Sequence, residues 1–188
     1  DHPFERLLVE TKVTPDPNEV TWINPDLTPG ETRKVITGIP GKTGIVYTLD
    51  RATGEFLWAT PTIEQNVVVD IDGATGEVTE NPEIIFREAE QMVFVCPTWL
   101  GGKDWEAGAY SPLTNVMYYP LRNTCANMLA TGNFESDTAR ALTEGGQGGL
   151  AIYQLAARHQ LTPGTSNLGT VRAVSAETGK TGGVFEPR

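Results

Sequence analysis

Hydrophobic positions along this chain fall in short runs with a period close to two, each closed by Gly, Asp or Ser, which is the pattern of strands and turns. Lys34–Gly38, Gly44–Leu49 and Gly169–Val174 are rich in Val, Ile, Thr and Tyr and read as strands. Gly44 to Trp58 continues as strand, tight Thr53-Gly54 turn and second strand, a hairpin by pattern. Met92–Val95 and Asn115–Pro120 read as further strands, separated by a Gly-rich loop from Trp99 to Gly108. Residues 11–33 are Pro- and Thr-rich and read as an excursion between strands. A second excursion, 127–168, holds the one helical candidate, Ser136–Thr143, which Gly145-Gly146 would end.

The chain repeats itself. Gly169 to Lys180 aligns with Gly44 to Glu55 at a constant offset of 125 residues, and Ala74-Thr75-Gly76-Glu77 follows a third alternating strand, Val67–Asp72. Repeated hairpins with turn glycines are the sequence form of propeller blades, although a common turn used three times by composition gives the same pattern. The expected fold is all-β, with four-stranded antiparallel blades and little helix.

Composition narrows the function classes. A net charge of −10 over 188 residues repels phosphate backbones and anionic lipid heads, so nucleic-acid and membrane-surface binding are disfavoured. No window approaches the roughly 20 apolar residues of a membrane helix, and Asp1 to Arg6 lack the regions of a signal peptide, so a soluble, mature or truncated chain is expected. The 20 Gly and 13 Pro punctuate apolar runs rather than forming a low-complexity tract.

Common chemical signatures are missing. His2, His159, Cys96 and Cys125 have no zinc-like spacing, and the sequence contains no nucleophile elbow, phosphate loop or dinucleotide fingerprint. The densest stretch is Cys96 to Trp105, with two Trp, a Gly pair, a cation and a carboxylate. A Gly pair lets backbone approach a flat ligand, but the same loop could equally pack its Trp side chains under a disulfide. Lys42 stands on the turn before the strand at Gly44, either solvated or facing a cavity.

Gly41 to Trp58, Cys96 to Trp105 and Ala109 to Pro120 together resemble the pyrroloquinoline-quinone-dependent alcohol dehydrogenases, the quinoprotein family that includes methanol dehydrogenase. The resemblance runs in one register through Leu161–Thr165 to Gly179. It implies an eight-bladed propeller, domain 1–188 supplying about two blades and parts of neighbours, with blades stapled by Trp-docking motifs of which Trp58 closes one. It also implies a Cys96–Cys125 disulfide, a bound quinone, a calcium or lanthanide ion, an alcohol substrate, a cytochrome c acceptor and a periplasmic or secreted location.

By motif position, Lys42 is similar to the residue that contacts the quinone, Asp104 stands where the family usually has Asn, and Trp105 and Trp99 would wall the site. A carboxylate at 104 repels a carboxylated quinone unless it is protonated, paired with Lys103 or turned away. The family's Asp base would lie just upstream of residue 1, and Asp1 would fall where lanthanide-using members carry an extra metal-binding carboxylate. In the second repeat Gly183 replaces Trp58, so that blade should be weaker. The implied reading is a fragment of a dehydrogenase that oxidises primary alcohols to aldehydes by hydride transfer to the quinone with metal assistance, itself inactive without the remaining blades or chains. The alternatives are a non-catalytic propeller scaffold that lost the site and an unrelated secreted β-sandwich.

Overall fold

The computed structural model describes residues 5–88, 90–131 and 154–185. The helical candidate Ser136–Thr143 and the metal candidate Asp1 lie outside them. Fourteen strands and one 3-10 turn, Pro82–Ile84 capped by the Asn81 side chain, make an all-β, antiparallel fold among the described residues.

The first sheet contains β1 (Leu7–Val13), β2 (Trp22–Ile23), β3 (Glu31–Gly38), β4 (Ile45–Asp50) and β5 (Phe56–Pro61), in the order β1-β3-β4-β5-β2. β6 (Val68–Ile71) and β7 (Val78–Glu80) form a separate hairpin. β8 (Met92–Val95), β9 (Ala109–Ser111), β10 (Val116–Arg122), β11 (Thr124–Thr131), β12 (Gln154–Leu161), β13 (Gly169–Ser175) and β14 (Thr181–Phe185) complete the chain. They divide into a four-stranded sheet, β14-β13-β10-β9, and a three-stranded one, β12-β11-β8. Two sheets thus carry the four-strand antiparallel order of a blade.

Both excursions are shorter than the sequence suggests. Thr11, Lys12 and Val13 pair with Arg33, Thr32 and Glu31, so residues 14–30 alone form the connection and β2 lies within it. The misreading has a physical cause: Thr11 occupies an inward position of β1, where its hydroxyl donates to the Lys12 carbonyl and accepts from Asn115 Nδ2. In 127–168, residues 127–131 and 154–161 are likewise paired strand.

The repeat is structural down to its irregularities. Asp50 and Asp72 each accept hydrogen bonds on Oδ1 from the two turn N–H groups that follow, at residues 52 and 53 and at 74 and 75. Ser175 Oγ accepts from Thr178 N in the third turn. Gly54, Gly76 and Gly179 close these turns at φ of 79°, 76° and 67°, the left-handed region that glycine enters without steric cost. In β4–β5, Leu57 bulges between the Leu49↔Phe56 and Thr48↔Trp58 pairs. In β13–β14, Gly182 bulges between Val174↔Thr181 and Ala173↔Gly183, again 125 residues on.

The main core lies where the two blade-like sheets face each other. Val13, Val35, Val46, Leu57 and Trp58 of the first meet Met117, Tyr119, Leu121 and Val174 of the second. Trp58 is fully buried, and its ring packs over Gly179 in the β13–β14 turn, so close that a Cβ there would lie 3.2 Å from the indole and 2.5 Å from Val20. Residues 14 and 16 reinforce this contact by donating backbone hydrogen bonds to the Glu177 and Thr178 carbonyls. On the other face of the first sheet, Ile45, Phe56 and Ala59 pack with Val68 and Ile71 of the β6–β7 hairpin. Burial on both faces explains why β5 reads as a continuous apolar run. At Gly183, by contrast, a Cβ would meet nothing within 4 Å, and Phe185 is 66% exposed.

Candidate cofactor site

The site is built from the turn before β4 and the loop between β8 and β9. The loop starts at the Cys96–Cys125 disulfide, whose two half-cystines are buried and 4.4 Å apart at Cα, joining the end of β8 to β11. Asn66 fixes the same point, its backbone N–H donating to the Cys96 carbonyl and its side-chain oxygen accepting from Cys96 N. The loop then runs along the Lys42 turn, where Gly102 N donates to the Lys42 carbonyl at 2.7 Å.

The two glycines are required by this close approach. Gly101 has φ of 87°, and a Cβ on it would meet the Lys103 carbonyl at 2.7 Å and Lys42 Cγ at 2.9 Å. A Cβ on Gly102 would overlap Ile63 Cδ1. The half-buried Lys42 side chain thus lies directly against the diglycine backbone.

Two cavities flank this loop, and the diglycine lines the second. One, of about 300 Å³, is lined by Lys42, Thr98 and Trp99 at its polar end and by apolar residues including Val67, Val95 and Met128. The other, of about 190 Å³, is lined by Gly101, Gly102, Asp104, Glu106 and Arg122. Glu106 pairs with Arg122 at 2.7 Å, and Arg122 N donates to the Gly102 carbonyl. The structure therefore puts Lys42 and Trp99 in one cavity, and Gly101, Gly102 and Asp104 in the neighbouring one. Trp105 is 74% exposed and lines neither, while Trp99, half-exposed, leans on His159 with ring centroids 6.4 Å apart.

Lys103 directs its ammonium at Glu5. Its side chain is wholly buried, and its ammonium donates to Glu5 Oε2 at 3.1 Å and to the carbonyls of Asp104 and Glu106 at 3.2 and 2.8 Å. Glu5 Oε1 accepts from Gly108 N at 2.8 Å. Burial pushes the Glu5 carboxyl up, but its own backbone N–H, the Lys103 and Gly108 hydrogen bonds and the Lys103 charge outweigh that and hold it below the usual carboxylate range. Sequence reasoning missed this pair because its members are 98 residues apart and Asp104 is the obvious local partner for Lys103.

Among the described residues no three His, Cys, Asp or Glu side chains gather in a way that could hold a metal ion, and no helix is long and apolar enough to cross a membrane.

No family model matches the chain. It is 36% identical over 105 residues to the XoxF dehydrogenase of Paracoccus denitrificans, covering 51% of this chain and 17% of that protein. It is 34% identical over 86 residues to a lanthanide-dependent methanol dehydrogenase of Methylacidiphilum fumariolicum, covering 46% and 14%. The dehydrogenase subunit of a quinone alcohol dehydrogenase of Acetobacter aceti is 37% identical over 91 residues, covering 48% and 12%. The fold matches a europium-containing methanol dehydrogenase with a TM-score of 0.65 at 23% identity, over 97% of this chain and 27% of that one. A quinohemoprotein alcohol dehydrogenase from Comamonas testosteroni gives 0.66 at 19% identity, over 98% and 24%. The matches thus span less than a fifth of the curated relatives and about a quarter of the solved chains. The chain is thus similar in sequence, over about half its length, to quinone- and lanthanide-dependent alcohol dehydrogenases, and over nearly all of it has the β-propeller fold of the solved ones, of which it spans a part.

Proposed function

We propose that the chain is a segment of a quinone-dependent dehydrogenase that oxidises primary alcohols to aldehydes, and that it supplies one wall of the cofactor site. The observation that carries this is the packing of Lys42 against Gly101, at the edge of a mostly apolar cavity, in a chain similar to quinone alcohol dehydrogenases over about half its length. A planar, carboxylated quinone suits such a wall: apolar side chains and Trp99 meet a flat ring, and Lys42 meets its negative charge. The quinone, when bound, is the acceptor of the hydride that leaves the alcohol carbon.

In this chain Lys42 would bind the cofactor and stabilise negative charge that develops on its oxygen as the hydride arrives. Trp99 would keep water from the apolar side. Asp104 is held out of the Lys42 cavity, which spares the site a like-charge contact. The resemblance also implies a calcium or lanthanide ion. The described residues supply no ligand set for it, so no step is assigned to it. The alcohol substrate, a cytochrome c acceptor, the remaining blades or chains and a periplasmic or secreted location belong to the same proposal. The disulfide suits an oxidising compartment.

The test is titration of the chain with pyrroloquinoline quinone, followed by quenching of Trp99 emission, together with a dye-linked alcohol oxidation assay. Saturable quenching that weakens about tenfold or more in Lys42→Met, with no turnover by the chain alone, is expected. Quenching that is absent, or equal in both proteins, would favour the scaffold reading.

A further inference from the structure

We infer that Lys103 is a positioning residue: tethered to Glu5, its buried ammonium holds the 104–108 loop so that Asp104 stays on the Arg122 side of the diglycine, away from Lys42. The inference uses the reading of Lys42 as the quinone's cation only for its functional consequence.

A lysine with no side-chain exposure is costly to bury unless every donor is satisfied. Here three acceptors surround Nζ: one Glu5 oxygen and the carbonyls of residues 104 and 106. The other Glu5 oxygen takes the Gly108 N–H. Four hydrogen bonds therefore fix alternate loop residues against the start of β1. A buried ion pair seldom beats an apolar residue of equal volume for stability, but it selects one arrangement over its neighbours. The arrangement selected points the loop carbonyls of 104 and 106 inward at the ammonium, while the Asp104 and Glu106 side chains line the cavity with Arg122. Gly101 reinforces it, since its positive φ turns the chain where its own position touches both the Lys103 carbonyl and the Lys42 side chain.

The packing of Lys103 has a corollary for charge. Its ammonium is held by Glu5 and two carbonyls, so the loop's path, and with it the position of the Asp104 carboxylate, follows from that tether. If the loop relaxed, Asp104 could swing toward Lys42 and meet a carboxylated cofactor there.

The experiment compares wild type, Lys103→Met, Glu5→Gln and Asp104→Asn, with Lys103→Met also made in the Asp104→Asn background. Amide hydrogen exchange at Gly108, whose N–H Glu5 accepts, should speed up about 10- to 100-fold in Lys103→Met and in Glu5→Gln, while Val46 in the core exchanges at its wild-type rate. Quinone affinity should fall about tenfold in Lys103→Met when Asp104 is present, and by much less when it is Asn. Equal acceleration at Val46 would reduce Lys103 to a general stabiliser and overturn the inference, as would an affinity loss independent of residue 104. Glu5→Gln leaves the lysine in place, so it decides the exchange question if Lys103→Met does not fold. Absence of quinone binding by wild type would sink the functional reading, and the exchange pattern would still judge the tether.

Discussion

Replacing Trp58 tests how the two blade-like sheets are joined. The indole is fully buried in the main core, and its ring contacts the Gly179 turn of the other sheet. Truncating a buried Trp to Ala costs about 3–5 kcal/mol. Trp58 Nε1, however, is buried without an acceptor, and removing an unsatisfied donor returns about 1–3 kcal/mol. The net cost of Trp58→Ala is therefore expected at about 2 kcal/mol, whereas Trp58→Phe, which keeps most of the ring and drops the N–H, should stay within about 1 kcal/mol of wild type. Gly179→Ala should cost about 2–4 kcal/mol, from a left-handed backbone and a Cβ driven into Val20 and the indole. In the Trp58→Ala background it should cost about 1 kcal/mol less, because one of its two obstacles is gone. Urea unfolding followed by far-ultraviolet circular dichroism measures all four. A Trp58→Phe variant as unstable as Trp58→Ala would show that the N–H is bonded and that the packing argument is wrong; strict additivity of the double variant would refute the Gly179 contact.

Two further outcomes are expected. Hydrogen bonds from Ala52 N, then, against the opposing pull of burial, Thr53 N and the Arg33 guanidinium, hold the Asp50 carboxyl below its ordinary value. A carboxyl lowered in the folded state stabilises above its unfolded value and loses that contribution as pH falls through the folded one, so urea midpoints should drop from pH 5 toward pH 2, less steeply in Asp50→Asn. An identical slope in both proteins would remove Asp50 from the account. Replacing Cys96 and Cys125 together by Ser should cost about 3–4 kcal/mol for a loop closed across 29 residues; a midpoint unchanged in non-reducing urea would show that the bridge adds nothing to the hydrogen bonds already holding the strand end.

The hairpins were legible because their information is local. Asp50, Thr53 and Gly54 lie within five residues of one another, and each carries a turn preference that the structure uses directly. The repeat at 125 residues carried even the bulge, since a bulged hairpin and its copy share length and turn. The disulfide followed from the family resemblance. What stayed hidden was non-local: Thr11 as an inward strand position, and Glu5 as the partner of Lys103, both fixed by residues about a hundred positions away. Asp104 was the natural local partner for Lys103, and only tertiary placement shows the ammonium directed at Glu5. The exposed position of Trp105 was equally unreadable, because loop direction depends on that same distant pair.

The three hairpins whose turns are capped by Asp50, Asp72 and Ser175 also bear on the order of assembly. Each closes over a handful of residues, an event of microseconds, while the Glu5–Lys103 contact must bring together groups 98 residues apart. Such a separation places the contact after the hairpins, with the meeting of the two sheets, whose own contacts span comparable or longer separations. The loop that carries the candidate cofactor wall would then acquire its shape only as the sheets meet, so that the chain exposes no finished site before its core exists.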